Sequence, residues 1–302
     1  MNAMIAKQSL LFVGLGFAAL LSACSPAPTP VPITEQPGQG VTPPGSGTVT
    51  PPGNSTTTPG NDVGISLGTT RLSWSAFDVQ EWTHDAAGQW VRYLSQWNSV
   101  QGTSTVSRLL YDFQYVADGQ LQRLTVSDAT RPIRYVEYRY ANGLPLEAKE
   151  YTVAGNLMGT YQFQITQGRL LEQTESHVLP VTRQVRKRFS YDSKGNLADI
   201  QEWTKPAGEA DFTFSSRILF SQYDNQPATV EQALLSYPYL PGVRFQTNNP
   251  GSRRMLNASG QELSEHTQTY RYTFGADGRV VSKTVSGAGG TYSGQFQHGP
   301  RW

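Results

Sequence analysis

The side chains able to carry chemistry are few and scattered. Histidine occurs at His84, His177, His266 and His298, and no two of them stand at the spacing of a metal-ligand pair. No serine lies in a Gly-x-Ser-x-Gly elbow. Gly45-Ser46-Gly47 falls in a proline- and glycine-rich stretch where no scaffold could hold it. Glu137, Glu147, Glu150, Glu172 and Glu175 could pair as acid and base across neighbouring strands, as glycoside hydrolysis requires; solvated strand faces scatter acids in the same way. Arg183, Arg186, Lys187 and Arg188 form a basic run whose members alternate faces on a strand, which places it on the surface. A glutamate beside a tryptophan occurs twice, at Glu81-Trp82 and Glu202-Trp203, inside a shared Gln-Glu-Trp-Thr that suggests one hairpin position used twice. A carboxylate next to an indole suits a carbohydrate surface, and a strand alternating polar and aromatic residues explains the same letters. These four residues are the candidate binding surface. No catalytic, metal or cofactor-binding residue is assigned, and no cofactor is expected.

Composition narrows the partners. A formal net charge of +1 with 16% charged residues gives no electrostatic reason to expect nucleic acid. The chain holds 15 tyrosines, 12 phenylalanines, 6 tryptophans and 29 glycines, a balance that favours strands and turns over helices. One cysteine excludes an intramolecular disulfide framework and any cysteine-rich metal site.

That cysteine ends an N-terminal signal. After Lys7, the run Leu10 to Leu21 is uncharged and apolar, short for a bilayer span and suited to a signal-peptide core. Gly14-Leu15-Gly16 lies inside this run with no strand before it, so it is not a nucleotide loop. Leu21-Ser22-Ala23-Cys24 resembles the bacterial lipoprotein lipobox. The resemblance implies cleavage between Ala23 and Cys24, diacylglycerol on the Cys24 thiol and an acylated new amino end. Several acyl chains on one residue give stable anchoring. Ser25 is not the aspartate associated with inner-membrane retention, so the expected location is the outer membrane, with the side it faces left open. Residues 1–23 are thus a signal peptide.

The tether 24–66 is dominated by proline, glycine, serine and threonine, with Glu35 and Asp62 its only charges. Such a segment buries too little apolar surface to offset its ordering entropy. As a flexible coil it reaches roughly 35 Å, and fully extended on the order of 130 Å. Residues 67–302 form one domain.

Turn markers recur through that domain at strand-sized intervals, among them Asp118-Gly119, Asn142-Gly143, Gln167-Gly168, Lys194-Gly195 and Asp277-Gly278. They predict an all-β, up-and-down antiparallel meander of about fourteen strands, strongly curved or barrel-like. Alternation sets an aromatic face through Tyr111, Phe113 and Tyr115, and again through Val136, Tyr138 and Tyr140, opposite a polar one. Leu170 to His177 is polar on both faces and is expected at an edge or with wide solvent exposure. The best helical candidate is Thr229–Leu235. It lies between Gln226-Pro227 and Pro238, and Asp224-Asn225 and Pro241-Gly242 are two further turn markers.

The hairpin Tyr270–Val285 is the clearest copy of a repeat. Phe189–Trp203 (FSYDSKGNLADIQEW) has the Tyr-Asp-x-x-Gly-Asn-Leu form of YD, or RHS-type, repeats, and Tyr115–Leu124 is a looser version. With the lipobox, the chain resembles YD-repeat-like lipoproteins of unknown function common in Bacteroidota. Tyr223-Asp224-Asn225-Gln226-Pro227 and Asn248-Asn249-Pro250 occupy the places of two further elements of that pattern, whereas Asn142-Gly143 and Gln167-Gly168 lack the Tyr-Asp pair. The resemblance implies a curved meander, sometimes approaching a barrel, with no assigned chemistry.

Three functions follow as expectations. The first is a lipid-anchored envelope protein with a non-catalytic scaffold or binding domain, its partner a glycan or an envelope protein. The second is an envelope enzyme acting on glycans through the carboxylates above. The third is a transmembrane β-barrel, suggested by strand length and Trp302. A lipid-facing band needs an uncharged apolar face on every strand, which Leu170–His177 does not offer.

Overall fold

One turn recurs along the chain, and its chemistry is local. At 85–89, 116–120, 152–156, 192–196, 257–261 and 275–279, the first N–H donates to the fifth carbonyl. The fourth N–H donates back to the first carbonyl. The fourth residue is always glycine, with φ between 74° and 83°, a region where a side chain would be strained. Where the first residue is Asp or Asn, its side chain fixes the turn as well: Asp192 Oδ1 accepts from the N–H of Lys194 and of Asn196, and Asp85 does the same for Ala87 and Gln89. Asn142-Gly143 and Gln167-Gly168, which break the Tyr-Asp pattern, are a shorter turn with both residues at positive φ.

The structure is a computed structural model and describes residues 69–98 and 105–299. The signal peptide, Cys24 and the tether lie outside the described residues. The strands are β1 (Thr69–Ser73), β2 (Val79–His84), β3 (Trp90–Asn98), β4 (Val106–Tyr115), β5 (Leu121–Ser127), β6 (Pro132–Ala141), β7 (Leu144–Thr152) and β8 (Leu157–Thr166). They continue as β9 (Arg169–His177), β10 (Arg183–Tyr191), β11 (Leu197–Pro206), β12 (Thr213–Ser221), β13 (Ser252–Asn257), β14 (Gln268–Phe274), β15 (Val280–Gly287) and β16 (Gly290–His298). Each pairs antiparallel with the next, and β16 pairs with β1 to close a barrel. Closure is tight at Gly294, where an added Cβ would fall 2.7 Å from Leu72 and 3.0 Å from the Trp74 ring.

The all-β, barrel-like expectation is met, with sixteen strands in place of about fourteen. The turn before β2 went unmarked because Trp74-Ser75-Ala76-Phe77-Asp78 has neither glycine nor proline. Ser75 Oγ caps it instead, accepting from the N–H of Phe77 and of Asp78. Neither an edge nor wide exposure is found at Leu170–His177: a closed barrel has no edge, and Leu170, Gln173 and Glu175 are buried. The polar inner face of β9 has another cause, given below.

Tyrosines at or just past strand ends stitch three of the hairpins to the one before. The Tyr191 hydroxyl donates to the Leu170 carbonyl at 2.9 Å, and Tyr223 donates to the Leu197 carbonyl. The Tyr140 hydroxyl accepts from the Leu121 N–H at 3.1 Å. Tyr191→Phe should therefore lower the unfolding free energy by about 1 kcal/mol while leaving the fold intact. An unchanged denaturant midpoint would refute the stitch.

Past the turns at this end, the ladder carries a bulge. Gln164 pairs with Glu172 and Ile165 with Leu170, leaving Leu171 extra; Leu146 and Val281 are extra in the same way. A bulged residue leaves the pleat's alternation and stands outside the core. This accounts for three large apolar side chains exposed at 38–41%.

The connection 222–251, between β12 and β13, fills the lumen. It carries a 3-10 helix at Val230–Leu234, on the predicted helical segment. Tyr239 stacks on Trp90 of β3 at 4.6 Å between ring centroids and meets Phe113 of β4 edge-on. Tyr237 packs edge-on against Tyr161 of β8, and Phe245 meets Phe189 of β10. Glu231 reaches Lys283 of β15. A segment touching inward side chains on both sides of the barrel lies inside it. The core is a continuous apolar cluster of wall and plug, including Leu121, Leu124, Val136, Phe163, Leu240 and Phe245, each contributing about 1.5–3 kcal/mol on burial.

Candidate functional site

The lumen holds charges as well as apolar groups, and its buried acids are met by cations and hydrogen-bond donors. Arg134 on β6 lies 3.0 Å from Glu150 on β7. Glu150 also accepts from the hydroxyls of Tyr161 at 2.8 Å and of Tyr237 in the plug at 2.7 Å. On β9, Glu175 meets the Lys187 ammonium of β10 and, at 3.0 Å, His177 Nε2. Gln173 donates to Glu175 at 3.0 Å and to the Tyr237 carbonyl at 2.9 Å. The Lys283 ammonium reaches Glu231 in the plug at 3.1 Å and lies 4.8 Å from the Tyr270 ring centroid. The inner face of β9 is polar because it must satisfy a polar plug.

Burial alone would raise the Glu175 carboxyl, but the Lys187 ammonium and His177 outweigh it and hold it down at about 2. Burial would lower Lys187; Glu175, then Glu202, outweigh that and hold it above its ordinary value. Burial raises the Tyr161 hydroxyl, and the Glu150 carboxylate raises it further. Lys187 therefore does not belong to a surface run: it is 8% exposed, although Arg188 beside it points to solvent.

The candidate surface residues separate. Trp82 is fully buried and stacks on Tyr93 at 5.4 Å, while Glu81 stands outside, 3.9 Å from Arg71. Trp203 faces outward with Arg186 and Arg188 over its ring at 5.2 and 5.3 Å, whereas Glu202 pairs in register with the inward Lys187. Glutamate and tryptophan alternate faces in each copy, as expected, but the copies have opposite phase. The reason is a bulge: Ala198 is extra on β11 between the 192–196 turn and Trp203 and shifts the alternation by one residue, whereas at the 85–89 turn the extra residue, Val91, falls on β3 and leaves β2 in phase. Identical letters thus do not mean one hairpin position used twice, and the four residues form no common surface.

The histidines stay apart. His298 Nε2 donates to the Val280 carbonyl at 2.7 Å and its Nδ1 lies 3.4 Å from the Thr70 hydroxyl at the barrel seam, His84 packs edge-on against Trp90, and His266 ends the exposed 3-10 turn Ser264–His266. No metal-binding cluster occurs among the described residues. Glu137, Glu147 and Glu172 pair with Arg123, Arg139 and Arg188 on the outer wall, separated by the sheet from Glu150 and Glu175. The lumenal set was readable only as the i, i+2 series Gln173, Glu175, His177, whose partners lie on other strands and in the plug.

No family model matches the chain, and no curated protein matches it. Solved structures that share the fold include two porin-like proteins. A porin-like protein from Bacteroides uniformis aligns with a TM-score of 0.50 and 15% identity, over 76% of this chain and 96% of that one. A porin-like protein from Bacteroides vulgatus aligns with a TM-score of 0.52 and 11% identity, over 78% of this chain and all of that one. At these identities the likeness is one of fold.

Proposed function

We propose that this chain is an outer-membrane lipoprotein whose barrel is a non-catalytic binding scaffold, tethered through Cys24 and closed by its own plug. The lipobox supports the anchor, and the Asp192 turn with the Tyr191 stitch gives the YD-type repeat a physical meaning. The observation that carries the scaffold reading is the polarity of the two faces. Apolar side chains point inward onto the plug. The outer wall carries Arg92–Asp112, Arg188–Glu172 and Arg217–Asp199 pairs at 3.0, 2.8 and 2.8 Å, and hydroxyl pairs such as Thr284–Ser293. A lipid-facing wall would pay about 2–4 kcal/mol for each such arginine near the bilayer midplane.

A second reading, a barrel that spans the outer membrane, draws on closure at sixteen strands and on the porin-like character of the similar structures. One experiment separates the two. Full-length protein and Cys24→Ser are expressed in a two-membrane bacterium with a fatty-acid analogue and fractionated. The scaffold reading expects labelled wild type in the membrane until detergent is added, and unlabelled Cys24→Ser soluble without detergent. Cys24→Ser retained in membranes after a carbonate wash would establish the spanning barrel.

A further inference from the structure

We propose that the outer wall from β6 to β11 is a trough for an uncharged polysaccharide chain; this rests on the binding-scaffold reading and gives it a ligand class. Two depressions of about 340 and 320 Å³ lie there side by side. Both are lined by Gln164 of β8 and Glu172 of β9, so they form one trough across six strands. With strands about 4.8 Å apart, it runs roughly 24 Å across the sheet, long enough for several sugar rings and too open for a small enclosed ligand.

Its relief suits a polyol. The carboxylates of Glu147, Glu172 and Asp199 are recessed, their side chains 16, 20 and 8% exposed. Their partners Arg139, Arg188 and Arg217 stand at 64, 55 and 42%. Acceptors thus lie on the floor and forked donors rise from it, and Gln162, Gln164 and Gln201 add amides able to donate and accept at once. Vicinal hydroxyls need that combination. Each depression also holds one bulged leucine, Leu171 in the first and Leu146 in the second, both more than a third exposed. They offer an apolar contact for the C–H face of a sugar ring. Each of the three carboxylates is matched by an arginine, and Lys149 lies 3.7 Å from Glu147 as well, so a single cation is left over along the whole trough, too little to draw a polyanion. That selects neutral polymers over uronans.

The test is affinity electrophoresis of the full-length protein in native gels containing dextran, galactomannan or hydroxyethylcellulose, with polygalacturonate as the acidic arm. At least one neutral polymer should retard the wild type. Glu172→Gln should weaken retardation about tenfold, the effect of one lost charge-assisted contact. Leu171→Arg changes an exposed bulge that packs into no core, so it should fold normally and abolish retardation by filling the trough. Far-UV spectra and thermal melts confirm folding of both variants. No retardation by any neutral polymer, retardation by polygalacturonate alone, or wild-type behaviour of Leu171→Arg would each overturn the proposal. Such a failure with normal lipidation and a detergent-free soluble Cys24→Ser would leave the anchored scaffold standing.

Discussion

Lys187→Met is expected to destabilise the barrel by about 3–5 kcal/mol, because it strands the buried Glu175 carboxylate without its counter-charge. The size follows from environment. Glu175 and Lys187 are 7 and 8% exposed, and an ion left alone there loses its hydration without a matching partner. Removing both charges tells a different story. Lys187→Met with Glu175→Gln leaves Gln173 and His177 a hydrogen-bonding partner and removes the deeply buried carboxylate, leaving only the partly exposed Glu202 without its cation, so it should recover more than half of the loss. Equilibrium urea unfolding of the two single variants and the double variant measures this coupling directly. If the double variant is as unstable as Lys187→Met, the damage comes from packing and not from the stranded charge.

The same pair sets a pH window. Glu175 titrates below its unfolded value of 4.5, so its contribution is complete above that value and is lost as pH falls toward about 2. Lys187 titrates above its unfolded value of 10.5, so its contribution is complete below that value and is lost as pH rises beyond it. Wild-type stability should hold between these limits and decline outside them, and the double variant should show a shallower acid decline between pH 4.5 and 2.

Much of the wall was legible because its signals are local. The glycine of each five-residue turn and the aspartate that caps it lie within a few residues of what they fix, so Lys194-Gly195 and Asp277-Gly278 locate hairpins without tertiary information. Alternation at Tyr111 and Phe113, or at Val136 and Tyr138, likewise separates inner from outer face. The plug was illegible for the opposite reason. Asp224-Asn225 and Pro241-Gly242 look like any other pair of turns, and nothing between them says that Tyr237 will meet Glu150, 87 residues away. The polarity of β9 was misread as an edge because a filled barrel with a polar interior and a solvated edge strand write the same letters. The trough lies between these cases: its bulged leucines and paired charges are in plain view, but only register places Gln164, Glu172 and Arg188 side by side.

Asn249→Ala should cost about 3 kcal/mol and loosen the plug before the wall. Asn249 is fully buried where the two ends of the plug meet. Its Oδ1 accepts from the Thr229 N–H at 2.7 Å, and its Nδ2 donates to Asp224 Oδ2 at 3.1 Å and to the Pro227 carbonyl at 3.0 Å. Its backbone N–H donates to Asp224 Oδ1 as well. The two sequence elements Tyr223–Pro227 and Asn248–Pro250 are thus the halves of one clasp, and Asn196 reinforces it from the 192–196 turn by accepting from the N–H of Thr247 and of Asn248. Truncating Asn249 leaves several buried polar groups without partners, at about 1–3 kcal/mol for each that water cannot reach. Asn225, equally prominent in the sequence element, is exposed, so Asn225→Ala should stay within about 0.5 kcal/mol of wild type. Hydrogen exchange decides whether the clasp acts locally. In Asn249→Ala, amides of 228–247 should exchange faster while those of β5 to β8 keep their protection. Equal acceleration throughout would mean that plug and wall unfold as one unit, and that the lumen cannot open without losing the barrel.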